Sequence, residues 1–246
     1  MKVMLTGITG TLAPFIKEYL ESINVEVIVW DTDKLSINDK EGLRAFVNQT
    51  RPDYFFQIAT GPEYWLESII DVIKDYEIKL LFTSTESVFS ETNVGPFKTT
   101  DLRDADNDYG HYKISCEDII TKSYKDNSYI CRLGWQIGLV PEKNNMLTFI
   151  KDNRKNLEAS DNWILSTSFM PDTAKALFKV VTTEQPGTYH IDGNTEELSF
   201  YQLTTKLNDK FNLGASIKKV KEPIRNNKLF SNVQYVDSIM TRLNQK

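Results

Sequence analysis

The first twenty residues constrain the fold of this chain more than any other stretch. A short apolar run at residues 2–6 leads directly into a glycine-rich segment at 7–13, and apolar residues then recur at helical spacing up to Leu20. Gly7 permits a tight turn, Gly10 lets a phosphate approach the backbone, and the small Ala13 lets helix and strand pack closely. A helix N-terminus also attracts phosphate charge, so this strand–turn–helix order predicts a dinucleotide site.

The remaining candidate cofactor residues stand at the ends of the next two strands. Asp31 follows the apolar run 25–30, at the position where a carboxylate accepts hydrogen bonds from an adenosine ribose. Lys34 could pair instead with a 2′-phosphate, so both NAD and NADP stay open. Ala59 and Thr60 close a third run, and their small size would let the cofactor pass. The predicted cofactor-binding residues are Gly7, Thr9, Gly10, Thr11, Leu12, Asp31, Ala59, Thr60, Tyr109 and Lys113.

Four strand–helix units follow one another up to residue 89, and each strand is apolar throughout. Strands of that kind are typical of a parallel sheet that is covered on both faces. We therefore predict an α/β fold with a doubly wound parallel sheet, whose ligands bind beyond the carboxyl ends of the strands. Residues 188–191 are predicted as the last strand, and residues 218–246 as a polar tail without assigned structure.

A second constellation consists of Thr85, Tyr109 and Lys113. Positions i and i+4 of a helix share a face, so the Tyr109 phenol and the Lys113 ammonium can point the same way. Thr85 ends a β-rich run and would present its hydroxyl to the same cleft. Each residue has a simpler interpretation alone: a strand-end hydroxyl, an amphipathic helix residue and a surface lysine. Their joint spacing behind a glycine-rich turn favours a proton relay.

Composition excludes several classes of partner. The net charge of −5 gives no general attraction for nucleic acid or anionic membranes. No apolar stretch approaches the length of a membrane span, and no basic leader precedes an apolar segment. We therefore expect no nucleic-acid partner, no membrane partner and a cytoplasmic protein. Cys116 and Cys131 lack metal-site spacing and are expected to be reduced core residues.

Three motifs make the chain resemble an extended short-chain dehydrogenase/reductase: T-G-x-x-G-x-x-A at 6–13, S-T-x-x-V-F at 84–89 and Y-x-x-x-K at 109–113. Segments 50–53, 132–135 and 187–191 narrow the resemblance to dTDP-4-dehydrorhamnose reductases. The resemblance implies a Rossmann sheet, with an NAD(P)-binding Rossmann domain at 1–140. A smaller substrate-binding lobe is expected at 141–246, packed on the first domain and partly interleaved with it.

The same resemblance implies a catalytic set of Thr85, Tyr109 and Lys113 that works with NAD or NADP on a nucleotide-sugar substrate. Tyr109 would protonate a ketone oxygen that Thr85 holds, while hydride arrives from the cofactor. A free tyrosine has a pKa of about 10, and Lys113 with the oxidised nicotinamide is expected to lower it. Relatives are often dimers, so a homodimer is also expected, although no interface stripe stands out.

Two departures leave the substrate open. Glu86 and Ser87 stand where the family usually has Asp-Tyr, and the chain is shorter than usual between Ala59 and Ser84. An NAD-dependent nucleotide-sugar epimerase or dehydratase is therefore an alternative, and a non-catalytic NAD(P)-binding regulatory protein is another. Arg132 is compatible with either pyrophosphate binding or a structural ion pair, and His190 is expected in the core.

Overall fold

Twelve strands and eight α-helices make up the part of the chain that the computed structural model describes, residues 1–245. The strands are β1 (Lys2–Leu5), β2 (Glu26–Val29), β3 (Tyr54–Gln57), β4 (Lys79–Thr85), β5 (Ser128–Leu133), β6 (Trp135–Ile137), β7 (Leu157–Ser160), β8 (Trp163–Ile164), β9 (Thr167–Phe169), β10 (Gly187–Ile191), β11 (Ile217–Val220) and β12 (Arg225–Asn226). The helices are α1 (Ala13–Ser22), α2 (Lys40–Thr50), α3 (Glu63–Ile73), α4 (Asp108–Ser123), α5 (Met146–Asp152), α6 (Met170–Thr183), α7 (Phe200–Phe211) and α8 (Ile239–Leu243).

Six of the strands form one parallel sheet in the order β2-β1-β3-β4-β5-β10. From β1 the chain moves outward to β2 and then returns to place β3 on the other side of β1. This reversal is the topological switch point at which doubly wound sheets bind their ligands. The predicted α/β class with a Rossmann-type parallel sheet is confirmed.

Alternating residues of β1 belong to two separate apolar cores, one on each face of the sheet. Val3 and Leu5 pack with α1 and α6 on one face, and Met4 packs with α2, α3 and α4 on the other. All three side chains are fully buried. Consecutive positions 3–5 of this strand therefore need apolar side chains, because both faces of the sheet are covered there.

The C-terminal part of the chain builds a third core beside the carboxyl ends of the strands. Apolar residues of α5, α7, α8 and the short strands β6 to β9 form this cluster, and Trp135 packs edge-on against Phe149 with ring centroids 5.0 Å apart. By contrast, α6 and β10 return to the main sheet. The chain therefore crosses between the two layers more than once, and the domain boundary at residue 140 stays a prediction.

The prediction that residues 188–191 form the last strand is wrong, since β11 and β12 follow. β11 pairs with β7, and β12 pairs with β8. The segment after β12 also runs beside residues 95–97, where Phe97 donates to the Lys228 carbonyl at 2.8 Å and Phe230 donates to the Phe97 carbonyl. These strands are short and polar, and they gain their order from partners distant in sequence. The pattern of apolar residues in the local sequence therefore does not predict them.

Within residues 1–245, no helix combines the length and apolarity needed to cross a membrane.

Candidate active site

The glycine-rich turn joins β1 to α1 and lies against the end of β3. Gly7 has a φ of +81°, and a Cβ at this position would lie 3.0 Å from the Ala59 nitrogen. The Gly10 amide donates to the Gly7 carbonyl at 2.8 Å, which closes the turn. Thr6 joins the two strand ends, because its hydroxyl accepts hydrogen bonds from the amides of Ile58 and Ala59 at 3.0 and 3.1 Å. A side chain at Gly7 would separate the turn from β3.

Helix α1 begins directly after this turn without a polar capping side chain. Leu12 occupies the N-cap position, and its side chain cannot accept a hydrogen bond from the first helical amides. Pro14 lies in the first turn, where its missing N–H costs nothing. The free amides of such a helix start, with the positive end of its dipole, form an anion-binding surface.

A cleft of about 500 Å³ opens above the turn. This volume lies in the range of about 300–1,000 Å³ that is typical of small-molecule sites. Every predicted cofactor-binding and catalytic residue except Asp31 lines it: Gly7, Thr9, Gly10, Thr11, Leu12, Ala59, Thr60, Thr85, Tyr109 and Lys113. Residues from β1, β3, β4 and α4 therefore converge at one place, although their roles there stay predictions.

Helix α4 brings Tyr109 and Lys113 to the end of β4. Asn107 caps this helix by accepting a hydrogen bond from the Gly110 amide at 2.8 Å. Gly110 is required by close packing, because a Cβ there would lie 2.1 Å from the Ser87 carbonyl oxygen. The first turn of α4 consequently packs directly on the turn that follows Thr85.

Thr85 ends β4 with its hydroxyl held by the next turn. Its Oγ1 accepts a hydrogen bond from the Ser87 amide and donates one to the Ser87 hydroxyl, both at 3.2 Å. Ser87, which replaces the aromatic residue usual in the resembled family, therefore orients the Thr85 hydroxyl. The serine hydroxyl is also a second polar group beside the cleft.

Lys113 is buried, with only 3% of its surface exposed, and its ammonium donates to the Thr83 carbonyl at 2.8 Å. Burial lowers the pKa of Lys113 to about 8. The ammonium lies 5.7 Å from the centroid of the Tyr109 ring. A lysine with a pKa of about 8 still carries its charge at neutral pH.

The pKa of Tyr109 is raised, whereas a lowered value is expected from the sequence. Tyr109 keeps 49% of its surface exposed, yet the atoms packed around it raise the pKa of the phenol, and the Glu86 carboxylate raises it further. The expectation of a lowered value depended on Lys113 and on an oxidised nicotinamide. In this structure the Lys113 ammonium donates a hydrogen bond to the Thr83 carbonyl, and burial has the largest effect on the pKa of the phenol. The phenol is therefore the protonated form at neutral pH.

A buried ion pair holds α4 against β4 and β5 beneath the cleft. Arg132 and Glu117 are 3% and 2% exposed, with Nη2 of Arg132 2.7 Å from Oε2 of Glu117. Ser84 donates to Oε1 of Glu117 at 2.6 Å. Burial acts to raise the pKa of Glu117, but the hydrogen bonds and charge of Arg132 outweigh it and hold this pKa below its ordinary value. Of the two interpretations of Arg132, the structure favours the structural ion pair.

His190 lies in the core, as expected, beside this ion pair. Its Nδ1 is 3.0 Å from the Phe230 carbonyl, and its Nε2 is 3.4 Å from the Arg132 guanidinium. Burial and the Arg132 charge lower the pKa of His190 to about 4, so the ring is neutral at physiological pH. Cys116 and Cys131 are both buried free thiols.

The polar residues Gln136 and Asn144 line the cleft but were not among the predicted site residues, and the same holds for Thr83 and Ser84 of β4. Gln136 is held in place by Thr173, which donates to its Oε1 at 2.8 Å, and its Nε2 donates to the Gly134 carbonyl at 3.1 Å. The signal that could have found Gln136 is its position just after β5, at the same sheet edge as Thr85. Asn144 lies in the loop before α5, for which the sequence has no periodic signal.

Asp31 is the one predicted site residue that lies outside the lining of this cleft. It follows β2 at the edge of the sheet, and its carboxylate pairs with the Lys34 ammonium at 3.1 Å. The hydrogen bond from Lys34 lowers the pKa of Asp31, so the carboxylate is ionised. Its predicted contact with an adenosine ribose stays a prediction.

Comparison with known proteins gives one family match. Residues 66–232 match the family model described as "RmlD substrate binding domain". The spore coat polysaccharide biosynthesis protein SpsK of Bacillus subtilis is 26% identical over 237 residues, which cover 89% of this chain and 82% of that protein. The dTDP-4-keto-6-deoxy-D-glucose reductase of Streptomyces niveus is 22% identical over 222 residues, which cover 81% of this chain and 75% of that protein.

Among solved structures, the dTDP-4-dehydrorhamnose reductase of Bacillus anthracis, determined in complex with NADP, superposes with a TM-score of 0.83 at 18% identity. The superposition covers 98% of this chain and 96% of that one. At this level of identity the likeness establishes the fold.

Proposed function

This chain belongs to the RmlD substrate binding domain family, and on that premise we propose that it is an NAD(P)-dependent reductase of a nucleotide-activated keto sugar. The observation that carries the proposal is the single cleft that Thr85, Tyr109 and Lys113 line together with the glycine-rich turn. A proton donor, an alcohol that can hold a carbonyl oxygen and a buried cation are the side chains that carbonyl reduction needs.

The residues of the turn fit a dinucleotide. Gly7 packs closely against Ala59, which holds the turn beside the cleft. The start of α1 has no side-chain cap, so its first backbone amides are free to bind an anion there. In the proposal the turn binds the diphosphate, Ala59 and Thr60 let the cofactor backbone pass, and Lys113 orients the nicotinamide ribose. A bound reduced nicotinamide would supply the hydride.

Tyr109 supplies the proton in the proposed reaction. Its raised pKa keeps the phenol protonated at neutral pH, which is the form that a proton donor requires. Thr85 holds the ketone oxygen when its hydroxyl proton turns from the Ser87 hydroxyl to the substrate, while the Ser87 amide keeps the Thr85 oxygen in place. The buried Lys113 charge stabilises the phenolate that remains after proton transfer.

The relatives support the substrate class. Two of them are reductases of deoxysugars linked to dTDP, by the names they carry. We propose a nucleotide-linked 4-keto-6-deoxy sugar or a similar keto sugar as the substrate. The particular sugar is left to experiment, because Glu86 and Ser87 replace the residues usual at this position.

The test is the oxidation of NADPH and NADH by the purified protein in the presence of a panel of nucleotide 4-keto sugars, followed by the absorbance of the reduced nicotinamide. We expect turnover with at least one member of the panel. Tyr109→Phe is expected to lower kcat by roughly 10²-fold or more. Tyr112→Phe is the matched control, because Tyr112 lies one turn away on α4 and donates instead to the Gly61 carbonyl at 2.7 Å.

Three outcomes would count against the proposal. If no sugar of the panel caused oxidation of NADPH or NADH, the result would contradict a keto-sugar reductase. A dinucleotide that stays bound through purification without net turnover would favour a nucleotide-sugar epimerase or dehydratase. Full activity of Tyr109→Phe would exclude the proton relay. The expected homodimer and the cytoplasmic location stay predictions, which mass measurement in solution and cell fractionation would test.

A further inference from the structure

A lysine from the C-terminal part of the chain reaches the glycine-rich turn. Lys143 lies in the loop between β6 and α5, and its ammonium donates to the carbonyls of Thr9 and Gly10 at 3.1 and 2.9 Å. Both carbonyls belong to residues that line the cleft, and so does Asn144, the next residue after the lysine. A positive charge is thereby brought to the mouth of the predicted phosphate site.

The loop that carries Lys143 is fixed by hydrogen bonds from Asn145, a buried residue at its end. Asn145 is 4% exposed, and its amide nitrogen donates to the carbonyls of Val140 and Glu142 at 3.2 and 2.5 Å. Its carbonyl oxygen accepts a hydrogen bond from the Leu147 amide at 2.8 Å, which caps α5. The loop is consequently fixed to the helix that follows it.

Lys143 also has an unusual backbone conformation, with a φ of +56°. Residues other than glycine avoid this left-handed region, and lysine has no side-chain group that favours it. The neighbouring hydrogen bonds of Asn145 stabilise this conformation, and it directs the lysine side chain away from the loop towards the turn.

We propose that Lys143 is a cofactor-binding residue whose ammonium pairs with the diphosphate of the dinucleotide held on the glycine-rich turn; this inference rests on the proposed function. Two neutral carbonyls are weaker partners for an ammonium than an anion is. The Thr11 amide follows the Gly10 carbonyl directly in the chain, so the lysine bonded to that carbonyl already lies within roughly 5 Å of the first amide of the predicted phosphate site. The second lobe would thus contribute a charge that the turn lacks.

The test measures the binding of ADP-ribose, which carries the diphosphate without the nicotinamide, by calorimetry at about 20 mM and about 300 mM salt. Lys143→Met is expected to weaken binding by about 3–10-fold at low salt and by less at high salt, because an exposed charge pair is screened. Lys143→Arg keeps the charge and is expected to restore most of the affinity. Lys151→Met, an exposed lysine of α5 with the same change in net charge, is the control and is expected to bind like the wild type.

Each other outcome has a distinct meaning. Equal affinities of Lys143→Met, Lys151→Met and the wild type would overturn the inference while leaving the reductase proposal intact. A loss that is independent of salt and is not restored by arginine would show that Lys143 only supports the turn, which also overturns it. Weaker binding of thymidine diphosphate with unchanged ADP-ribose binding would assign the lysine to the substrate diphosphate. A wild type that binds no ADP-ribose would overturn the cofactor site together with the inference.

Discussion

The Lys113 ammonium lies 5.7 Å from the centre of the Tyr109 ring but donates its hydrogen bond to the Thr83 carbonyl at 2.8 Å. The two side chains share a helix face without a direct hydrogen bond between them. Burial and the Glu86 carboxylate, rather than Lys113, therefore determine the direction in which the pKa of Tyr109 departs from its ordinary value.

Glu86 is expected to shift the pH dependence of the reaction. Burial, and then the Glu91 charge, raise the pKa of Glu86 to about 7, so this carboxylate becomes negative above neutrality and raises the pKa of Tyr109. Reduction needs a protonated Tyr109, so kcat falls as the pH rises through the Tyr109 pKa. Glu86→Gln lowers that pKa, and we expect the alkaline limb of kcat to move down by roughly 0.5–1 pH unit.

The measurement is kcat as a function of pH from about 7 to about 11.5 at saturating substrates, because the pKa of Tyr109 lies above the ordinary value of about 10. Glu91→Gln removes an equal charge that is half exposed and paired with Arg225. It lowers the pKa of Glu86, but Glu86 is ionised throughout the alkaline limb in either case, so this variant serves as the control and its limb should stay in place. An alkaline limb that stays in place or moves upward in Glu86→Gln would show that this carboxylate does not act on the phenol.

Lys113 is expected to make the protein more stable at alkaline pH. Its pKa is 10.5 in the unfolded reference and about 8 in the folded chain. Between these two values the unfolded chain binds more protons than the folded chain, so the free energy of unfolding rises with pH across this window. Below pH 8 the lysine is charged in both states, and the full cost of burying its charge lowers the stability of the folded chain. The gain from pH 7 to pH 10 is expected to be about 1–3 kcal/mol, relative to Lys113→Met.

Urea denaturation of the wild type and Lys113→Met at pH 7, 8.5 and 10 measures this difference. The other titrating groups are common to both proteins and largely cancel. Parallel pH profiles for the two proteins would mean that the lysine is solvated in the folded state.

The buried pair of Glu117 and Arg132 is expected to be critical for stability. Glu117→Gln leaves the Arg132 guanidinium buried, at 3% exposure, without a counter-charge. Breaking such a pair typically costs about 3–5 kcal/mol. Asp118→Asn is the control, since Asp118 is 58% exposed and pairs with Arg103 at the surface, where a pair contributes only about 0–1 kcal/mol. The free energy of unfolding from denaturant titration checks both, and equal losses in the two variants would contradict the assignment.

Much of the sheet could be predicted because its strands follow local rules. Apolar runs such as 2–5 and 54–57 are buried on both faces, and the glycine-rich turn has its own sequence signature. The convergence of Thr85, Tyr109 and Lys113 on one cleft follows from the rule that parallel strands end at the same edge. The sequence positions of these residues were therefore enough to predict their neighbourhood.

The parts that could not be predicted depend on contacts between distant segments. Gln136 is oriented by Thr173, and β12 pairs with β8, which lies far from it in the sequence. The raised pKa of Tyr109 results from burial and from Glu86, and burial cannot be read from the spacing of Tyr109 and Lys113. Hydrogen-bond partners and degrees of burial are properties of the packed chain, so sequence periodicity carries no record of them.

Asp31 is expected to set the preference between NADH and NADPH. Its carboxylate follows β2 and holds the Lys34 ammonium at 3.1 Å. A carboxylate here favours the ribose hydroxyls of NAD and repels the 2′-phosphate of NADP. Asp31→Asn removes the repulsion and frees Lys34 to pair with the phosphate, so the ratio of affinities should move towards NADPH by up to roughly tenfold.

Titration of the intrinsic fluorescence with NADH and with NADPH gives the two dissociation constants for each variant. Asp33→Asn changes an exposed carboxylate two residues further along the same turn and is the matched control. An unchanged ratio in Asp31→Asn would mean that Asp31 does not reach the adenosine ribose, in agreement with its position outside the cleft lining. A shift towards NADPH in Asp31→Asn but not in Asp33→Asn would instead extend the cofactor site beyond the cleft to the end of β2.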